Sequence, residues 1–519
     1  MSVDTLRETF HINRISHQDL QDFLTAQTYR PEITEAKRKI RSLPWANLQG
    51  VCSKPIRQGK SPKYLENTGL VCVKPKNTND MLVSLEDTDF IDPLTVDQIN
   101  NQKLKYGDIV ITRSGSGTIG RASIYSGQHD VYTNDHLFIV QCKTADSHYV
   151  CSFLNSYWGA RLLEAGISGS TGQLNLSNEH IKNIPLYKPN ELAQKYIGDK
   201  VRQAEELRAW AKGLENQFTQ TLSQAYPEAF IDKRTGRKYS KAPVDDISYT
   251  LNPGAFDEER LRIRIYLKSK GAQKLRTIAS IQGPTTSDYS AETVYVGLDA
   301  ISSGSCALSV STVGDSDVKG TSRLLTEGAV VAKLRPYLNK VAYIPAKYSG
   351  AVGSTELLCV QPSSDVSSWY LYGALKSEIT LKQLKPLASG STHPRIDQYD
   401  LYDVVLPIHS EYETLGEMLQ KAQSAYFYSK DLTTAAKLLV EALIEGQLTE
   451  PQLIDAQQAL EAGDNSLDQA ILAGLTPQGF NADPAANTKT ESKAQSQALF
   501  SDLDELTRLL EQAQEAAND

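Results

Sequence analysis

Four residues, Ser168-Gly169-Ser170-Thr171, return as Ser389-Gly390-Ser391-Thr392, and the interval between the copies is the one that separates Gly107 from Gly328. Each of those glycines opens a β-rich hairpin: Gly107-Asp108-Ile109-Val110-Ile111-Thr112-Arg113 in the first case, Gly328-Ala329-Val330-Val331-Ala332-Lys333 in the second. Downstream, Ile181 to Pro189 and Leu401 to Pro407 read as short apolar strands ending at proline, each followed by a long helical stretch. Solenoid repeats run to roughly 20–50 residues. This period is far longer, so the chain reads as one domain duplicated, with two sites or two half-sites.

The pattern predicts an α+β fold with a pseudo-twofold internal repeat. Residues 1–42 form a helical lead-in that ends in a basic helix, Glu35 to Arg41. Residues 43–190 are an irregular, mostly β unit, with short β-branched and aromatic runs broken by Gly, Pro, Asn and Ser. Residues 191–226 then place Ile197, Val201, Leu207, Ala211, Leu214 and Phe218 on an approximate 3-4 spacing. That is a helix of about 54 Å at ~1.5 Å per residue, with one apolar stripe that needs a partner helix.

A polar connector with a short helix from Phe256 to Lys270 fills residues 227–274, and the second β-rich unit covers 275–408. The second long helix, 409–446, offers Leu415, Leu419, Ala422, Tyr426, Leu432, Ala436, Leu439 and Leu443. Two such helices are natural antiparallel partners in a coiled-coil rod that holds the β-rich units apart. Residues 447–519 are an acidic tail: a loop-like stretch from Thr476 to Ser492, then a helix carrying Leu499, Leu503, Leu506 and Leu510. The segment suits a solubilising tail somewhat better than a docking helix.

The net charge of −8 looks wrong for a nucleic-acid binder until it is divided along the chain. Residues 447–519 hold 13 Asp and Glu against 3 Lys and Arg, so the remainder is close to neutral. Such a body can carry local basic patches. No apolar run approaches a membrane span, and Asp4, Arg7 and Glu8 precede any apolar block, unlike a signal peptide. A soluble, cytoplasmic protein is expected. Six cysteines stand without a C-x-x-C or a zinc-ligand spacing, as reduced, mostly buried thiols would.

Gly115-Ser116-Gly117-Thr118-Ile119-Gly120 spells G-x-G-x-x-G after a strand and nearly spells a P-loop. Both motifs need a following helix whose N-terminus holds the phosphate, whereas Ala122-Ser123-Ile124-Tyr125 reads as another strand. The P-loop lysine and hydroxyl positions hold Arg121 and Ala122, so a glycine-rich hairpin is the better reading. Asn252-Pro253-Gly254-Ala255 lacks the second proline and the aromatic of an amino-methyltransferase loop. No hydrolase elbow or H-E-x-x-H motif occurs, and eight dispersed histidines make no cluster. We therefore expect no catalytic residue and no metal site in this chain.

The β-rich units do carry donors on loop backbone. The first has Lys54, Arg57, Lys60, Lys63 and Tyr64 around Gly59, then Arg113, Ser114, Thr118 and Arg121 at the glycine hairpin, and Asn134, His136, Ser170, Thr171, Gln173 and Asn175. The second has Thr285, Thr286, Tyr289, Lys333, Arg335, Tyr337, Asn339, Lys340, Ser391, Thr392, His393 and Arg395. Arg and Lys bridge guanine edges or neutralise phosphates, Asn and Gln read adenine, and Ser or Thr reach either. Each alone suits a solvated surface; together, and twice over, they suit a reader of two short DNA elements.

With these residues in view, the chain resembles the DNA-specificity subunit of type I restriction-modification systems. The resemblance rests on Gly107-Asp108-Ile109-Val110 with Gly117-Thr118-Ile119-Gly120-Arg121, on Gly169-Ser170-Thr171 before a strand and proline, and on the long helix after each unit. In the second copy Leu334-Arg335-Pro336-Tyr337 and Asn339-Lys340 replace the glycine hairpin. It spans about residues 29–446, and residues 1–28, the connector 227–255 and the tail from 447 fall outside it.

The resemblance implies two target recognition domains, each reading half of a bipartite site in double-stranded DNA. It also implies that the helices set the gap and bind two methyltransferase subunits through Ile197, Val201, Leu207, Leu214, Phe218, Leu415, Leu419, Tyr426, Leu439 and Leu443. At ~3.4 Å per base pair, a 54 Å rod spans at most about 16 base pairs. No cofactor is implied in this chain; S-adenosylmethionine, and ATP with magnesium, belong to the methyltransferase and motor-nuclease partners. A second reading is an architectural adaptor of a related defence complex with weak or lost DNA specificity.

Overall fold

A computed structural model describes residues 17, 20, 26–115, 117–169, 174–233, 250–363, 365–481 and 498–518. The chain divides into two compact units, Met1–Glu206 with Tyr428–Leu510, and Leu207–Phe427 with Glu511–Asp519. The fold is α+β, and within the described residues no helix is long and apolar enough to cross a membrane.

The first unit enters through the helix Pro31–Arg41. It has Pro at its first position, three basic residues in its last turn, and Ile33, Ala36 and Ile40 on its buried face. The strands that follow are β1 (Trp45–Asn47), β2 (Arg57–Gln58), β3 (Tyr64–Leu65), β4 (Leu70–Val73), β5 (Asp89–Ile91) and β6 (Ile109–Thr112), then β7 (Ala122–Ile124), β8 (Val131–Thr133), β9 (Leu137–Val140), β10 (Ile167–Ser168), β11 (Asn175–Leu176) and β12 (Pro185–Tyr187). One four-stranded sheet has the order β2-β9-β6-β7 and a second has β3-β5-β4-β8, with β4 and β8 parallel. Every residue of Ile109-Val110-Ile111-Thr112 is buried, as a β-branched run inside a sheet covered on both faces requires. Val110 joins Val73, Leu104, Tyr125, Val131 and Leu137 in one core cluster.

The second unit contributes β13 (Gln273–Lys274), β14 (Ala279–Gln282), β15 (Thr285–Thr286), β16 (Val294–Val296), β17 (Ser311–Thr312) and β18 (Ser322–Leu324), then β19 (Gly328–Ala332), β20 (Val341–Ile344), β21 (Val352–Gly353), β22 (Leu357–Pro362) and β23 (Val405–Leu406). Its four-stranded sheet, β14-β22-β19-β20, has the connectivity of β2-β9-β6-β7. The register pairs Ile111 with Phe138 and Thr112 with Leu137, against Val331 with Leu358 and Ala332 with Leu357. Arg113 thus corresponds to Lys333, one residue closer than the two opening glycines imply. The second sheets share only a parallel pair, β4 with β8 and β16 with β21, and the remaining strands attach differently.

Both units contain helices inside the stretches read as mostly β. They are Ser147–Asn155 and Tyr157–Glu164 in the first, Ser368–Lys376 and Glu378–Leu384 in the second. Three of these short helices start at oxygen caps, Asp146, Ser156 and Ser367. Seven of the nine residues in Ser147–Asn155 are buried, which erases the amphipathic period that marks a helix in sequence. The stretches from Ile181 and from Leu401 are strands only at β12 and β23; Ile181 and Leu401 themselves lie in the helices Asn178–Lys182 and Gln398–Tyr402.

The long helices are Glu191–Ala225 and Tyr412–Glu445. Ile197, Val201, Leu207, Phe218, Leu415, Leu419, Leu439 and Leu443 are buried within the chain, and Leu214 and Tyr426 are partly buried. The expectation that these positions bind another subunit is corrected for the eight buried ones: there the stripe covers the chain's own cores, as an apolar stripe must when segments of the same chain reach it first. A connector helix, Glu258–Ser269, matches the short helix read there.

The C-terminal segment is also corrected. Glu450–Glu461, Ser466–Ala473 and Leu503–Asn518 are helices, and Leu453, Ala456, Leu475, Leu506 and Leu509 are buried. Most of the loop-like stretch, from residue 482, lies outside the described residues. The acidic groups meet donors of the first unit. Asp468 accepts from the Tyr196 hydroxyl at 2.7 Å and pairs with the fully buried Lys200 ammonium at 2.5 Å. Glu450 accepts from the Tyr187 hydroxyl at 3.1 Å and from the Asn190 amide at 2.9 Å, and Glu461 pairs with Lys195 at 2.9 Å. An excess of carboxylates reads as a solvated face unless its cations, in this case more than 250 positions upstream, are seen beside it.

Candidate nucleic-acid interface

In each unit two loops meet at the end of the central strand. In the first, the Arg113 amide donates to the His136 carbonyl at 2.8 Å, the Leu176 amide to the Arg113 carbonyl at 2.8 Å, and Ser114 bridges Asn175. In the second, the Lys333 amide donates to the Glu356 carbonyl at 2.9 Å, the Ile396 amide to the Lys333 carbonyl at 3.1 Å, and Leu334 bridges Arg395. The hairpin after the central strand and the return segment, Asn175–Leu176 in the first unit and Arg395–Ile396 in the second, therefore sit side by side in both units. Ser170, Thr171 and Gln173 lie outside the described residues, as does Ser116 of the glycine hairpin.

The glycine hairpin turns on Gly117 and Gly120, at φ +72° and +81°, where side-chain residues rarely go. It leads into the strand β7, so no helix N-terminus follows the glycines. The second unit makes a turn one residue shorter with Arg335 and Asn339 themselves left-handed, at φ +49° and +51°. Asn339 is held there by donating its side-chain amide to the Lys376 carbonyl at 2.8 Å. The Arg335 amide donates to the Pro394 carbonyl at 2.7 Å, and its Nε is buried with no hydrogen-bond partner among the described residues.

The predicted contact residues divide by what already holds them. Lys54, Arg57 and Lys60 are exposed; the first two line a groove with Gln58, Asn101 and Gln141. The backbone of Lys60 is clamped by buried Gln102, which accepts from its amide at 2.6 Å and donates to its carbonyl at 2.9 Å. The Lys63 ammonium pairs with Asp92 at 3.1 Å, and the Tyr64 ring lies 3.8 Å beneath the Lys74 ammonium. Burial pushes the Tyr64 phenol up despite its bond to Asn134. Arg121 donates to Asn79 at 2.6 Å, and the Ser114 hydroxyl lies 2.6 Å from the His136 ring. Thr118 closes the hairpin turn through its amide to the Gly115 carbonyl at 3.2 Å.

In the second unit Thr285 and Thr286 sit on β15, and the Tyr289 hydroxyl donates to the Gly320 carbonyl at 2.5 Å. Tyr337, Ser391, Thr392 and His393 are exposed. Three of these expectations are corrected. Asn134 is 2% exposed and holds the His136 amide at 3.1 Å, so it is a structural residue. The Lys340 ammonium donates inward to the Ile301 carbonyl at 2.5 Å, and the Asn339 amide is committed to Lys376. A chain read in one dimension shows such side chains as donors and hides the carbonyls that take them.

Three residues were missed. Gln102 positions Lys60 as above. Glu356 grips Arg395, with Nε to Oε1 at 3.1 Å and Nη2 to Oε1 at 3.0 Å. Arg323, 8% exposed, donates to the Leu357 carbonyl at 2.9 Å and the Thr355 carbonyl at 3.1 Å, on either side of Glu356. A search for cations and amides passes over a carboxylate, and nothing in Ser322-Arg323-Leu324 marks the arginine as buried.

Residues 45–220 match the family model of the type I restriction modification DNA specificity domain. Among solved structures, the HsdS subunit of Thermoanaerobacter tengcongensis is 14% identical, with 78% of this chain and 97% of that one covered, at a TM-score of 0.26. The type I restriction-modification S subunit of M. genitalium is 11% identical, with 80% and 96% covered, at a TM-score of 0.33. Both superpose loosely, so the assignment rests on the match over residues 45–220. No curated protein matches the chain. Residues 45–220 are thereby read as a type I restriction modification DNA specificity domain, the part of the chain that the family model reaches.

Proposed function

We propose that both units read DNA, each taking one half of a bipartite site in double-stranded DNA. The observation that carries this is the recurrence, in a second unit whose sheet lies beyond the family match, of the same four-stranded order with two loops at its edge. The exposed Lys54, Arg57, Lys60, Tyr337, Thr392 and His393, with Arg113 and Arg335 at the loop junctions, are the proposed contacts. Side chains that face solvent on such loops reach base edges or phosphates.

The chain itself supplies recognition and the long helices supply spacing and support for two methyltransferase subunits. Because the apolar positions of those helices are buried, the methyltransferases dock on their outer, polar faces or on neighbouring elements. S-adenosylmethionine chemistry then belongs to those partners, ATP and magnesium to a motor-nuclease, and the assembly works in the cytoplasm.

Selection of bound duplexes from a random pool, with the chain together with whatever methyltransferase its neighbouring gene encodes, tests this reading. Two short blocks at a fixed spacing are expected. Featureless enrichment would instead favour the adaptor, a reading supported by the internal ties of Lys63, Arg121, Lys340 and Arg395.

A further inference from the structure

Glu356 stands out among the residues at the loop junction of the second unit, because a carboxylate there repels the phosphates that the neighbouring cations attract. Its placement is nevertheless built. The buried Arg323 guanidinium fixes the carbonyls before and after it, its own carbonyl takes the Lys333 amide at 2.9 Å, and its amide meets the Ser354 hydroxyl at 3.3 Å. The carboxylate holds Arg395 through Nε and Nη2, while Arg395 Nη1 donates to the His393 carbonyl at 3.1 Å. Arg395 remains 48% exposed, and an exposed ion pair adds little to stability. Stability alone is a weak reason to anchor that pair on a buried arginine.

The same register position in the first unit is His136, which reaches instead to the hairpin after the central strand, 2.6 Å from the Ser114 hydroxyl at the position that Leu334 holds in the second unit. Two units of one connectivity thus present, at one place, two side chains of different hydrogen-bonding character. Outward-facing groups of fixed geometry on a variable position are what base discrimination requires. A carboxylate accepts the cytosine amino group and a guanidinium takes the guanine edge.

We propose that Glu356 and Arg395 form the base-discriminating pair of the second unit, with a C·G base pair as their target, and that His136 with Ser114 holds the equivalent place in the first. This rests on the proposed bipartite reading. The carboxylate positions Arg395 and reads the cytosine; Arg395, turned by Glu356, offers its remaining N–H groups to the guanine.

Duplex selection with the full chain and its methyltransferase partner, for the wild type, Glu356→Gln, Arg395→Lys and His136→Ala, tests it. Glu356→Gln and Arg395→Lys should relax the same single base position in one block, by roughly five- to hundredfold, and leave the other block alone. His136→Ala should relax only the other block. The exposed Arg395→Lys keeps the charge and loses the fork, so it decides the matter should Glu356→Gln unfold the unit, as thermal melting would show. Unchanged preferences in both variants, relaxation at different positions, or uniform weakening on all duplexes would overturn the assignment. A wild type without two blocks would overturn the bipartite reading itself, before any variant is compared.

Discussion

The two units carry sheets of one order, yet each is fastened by a different kind of buried ion pair. In the second unit Asp403 lies between Arg264 at 2.8 Å, Arg260 at 3.1 Å and Lys274 at 2.7 Å, all within its continuous span Leu207–Phe427. The connector helix Glu258–Ser269 is thereby tied to the turn before β23. In the first unit the cation is Lys200 on the long helix, and its partner Asp468 arrives from the C-terminal segment. One ion cluster is closed within a continuous span; the other takes its carboxylate from more than 250 positions downstream. A shared sheet therefore does not imply a shared way of being held together, and the borrowed closure is what makes an acidic extension an integral part of a domain.

Removing the carboxylates should separate the two cases. Asp403→Ala strands two buried guanidinium groups and should lower the stability of the second unit by about 3–5 kcal/mol, read as a shift of one denaturation transition with the other unmoved. Burial alone would raise the Asp403 carboxyl, but the Arg264 charge and the Lys274 hydrogen bond outweigh it and hold it below the usual range. Its contribution is therefore present above the unfolded value, ~3.9, and lost as pH falls through the lower folded value. Acid titration of the second transition checks that sign. Asp468→Ala strands one ammonium and should cost the first unit about 3 kcal/mol or somewhat more, with the second transition unmoved. Equal loss in both units would break the distinction between local and borrowed closure.

Smaller effects sharpen the comparison at the loops. Arg113→Ala and Arg335→Ala should each weaken DNA binding by about 1–3 kcal/mol where the side chain reaches a base edge, each in one half-site; loss on all sequences alike would make them phosphate contacts. Asn339→Gly converts the second turn toward the glycine chemistry of the first. Relief of a left-handed side-chain residue and loss of the bond to Lys376 nearly offset, so stability should move by less than about 1 kcal/mol.

The recurring sheet order, the strands around Ile109 and Val330 and both long helices are legible in the sequence because they rest on local pattern: β-branched runs, glycine turns and apolar spacing. The helices at Ser147 and Ser368 are not, since burial on all sides removes their period. The docking of Glu450, Glu461 and Asp468 is not legible either, because their partners lie in another stretch of chain. At the site, position was readable and commitment was not. Arg113 and Lys333 stand at the end of the central strand, within one residue of where the repeat places them, whereas Lys340, Asn339 and Asn134 turn out to serve carbonyls and backbone amides.

The discontinuity of the first unit also sets an order in time. A ribosome adds roughly 5–20 residues each second, and residues 207–427 are made between the two parts of that unit. For some tens of seconds on every nascent chain, the strands around Ile109 and the start of the long helix stand without the segment that covers Lys200, while the sheet around Val330 is already complete in sequence. The first unit thus waits for all of Tyr428–Leu510 and the second for no more than Glu511–Asp519, so a premature stop before Asp468 damages the domain that was translated first.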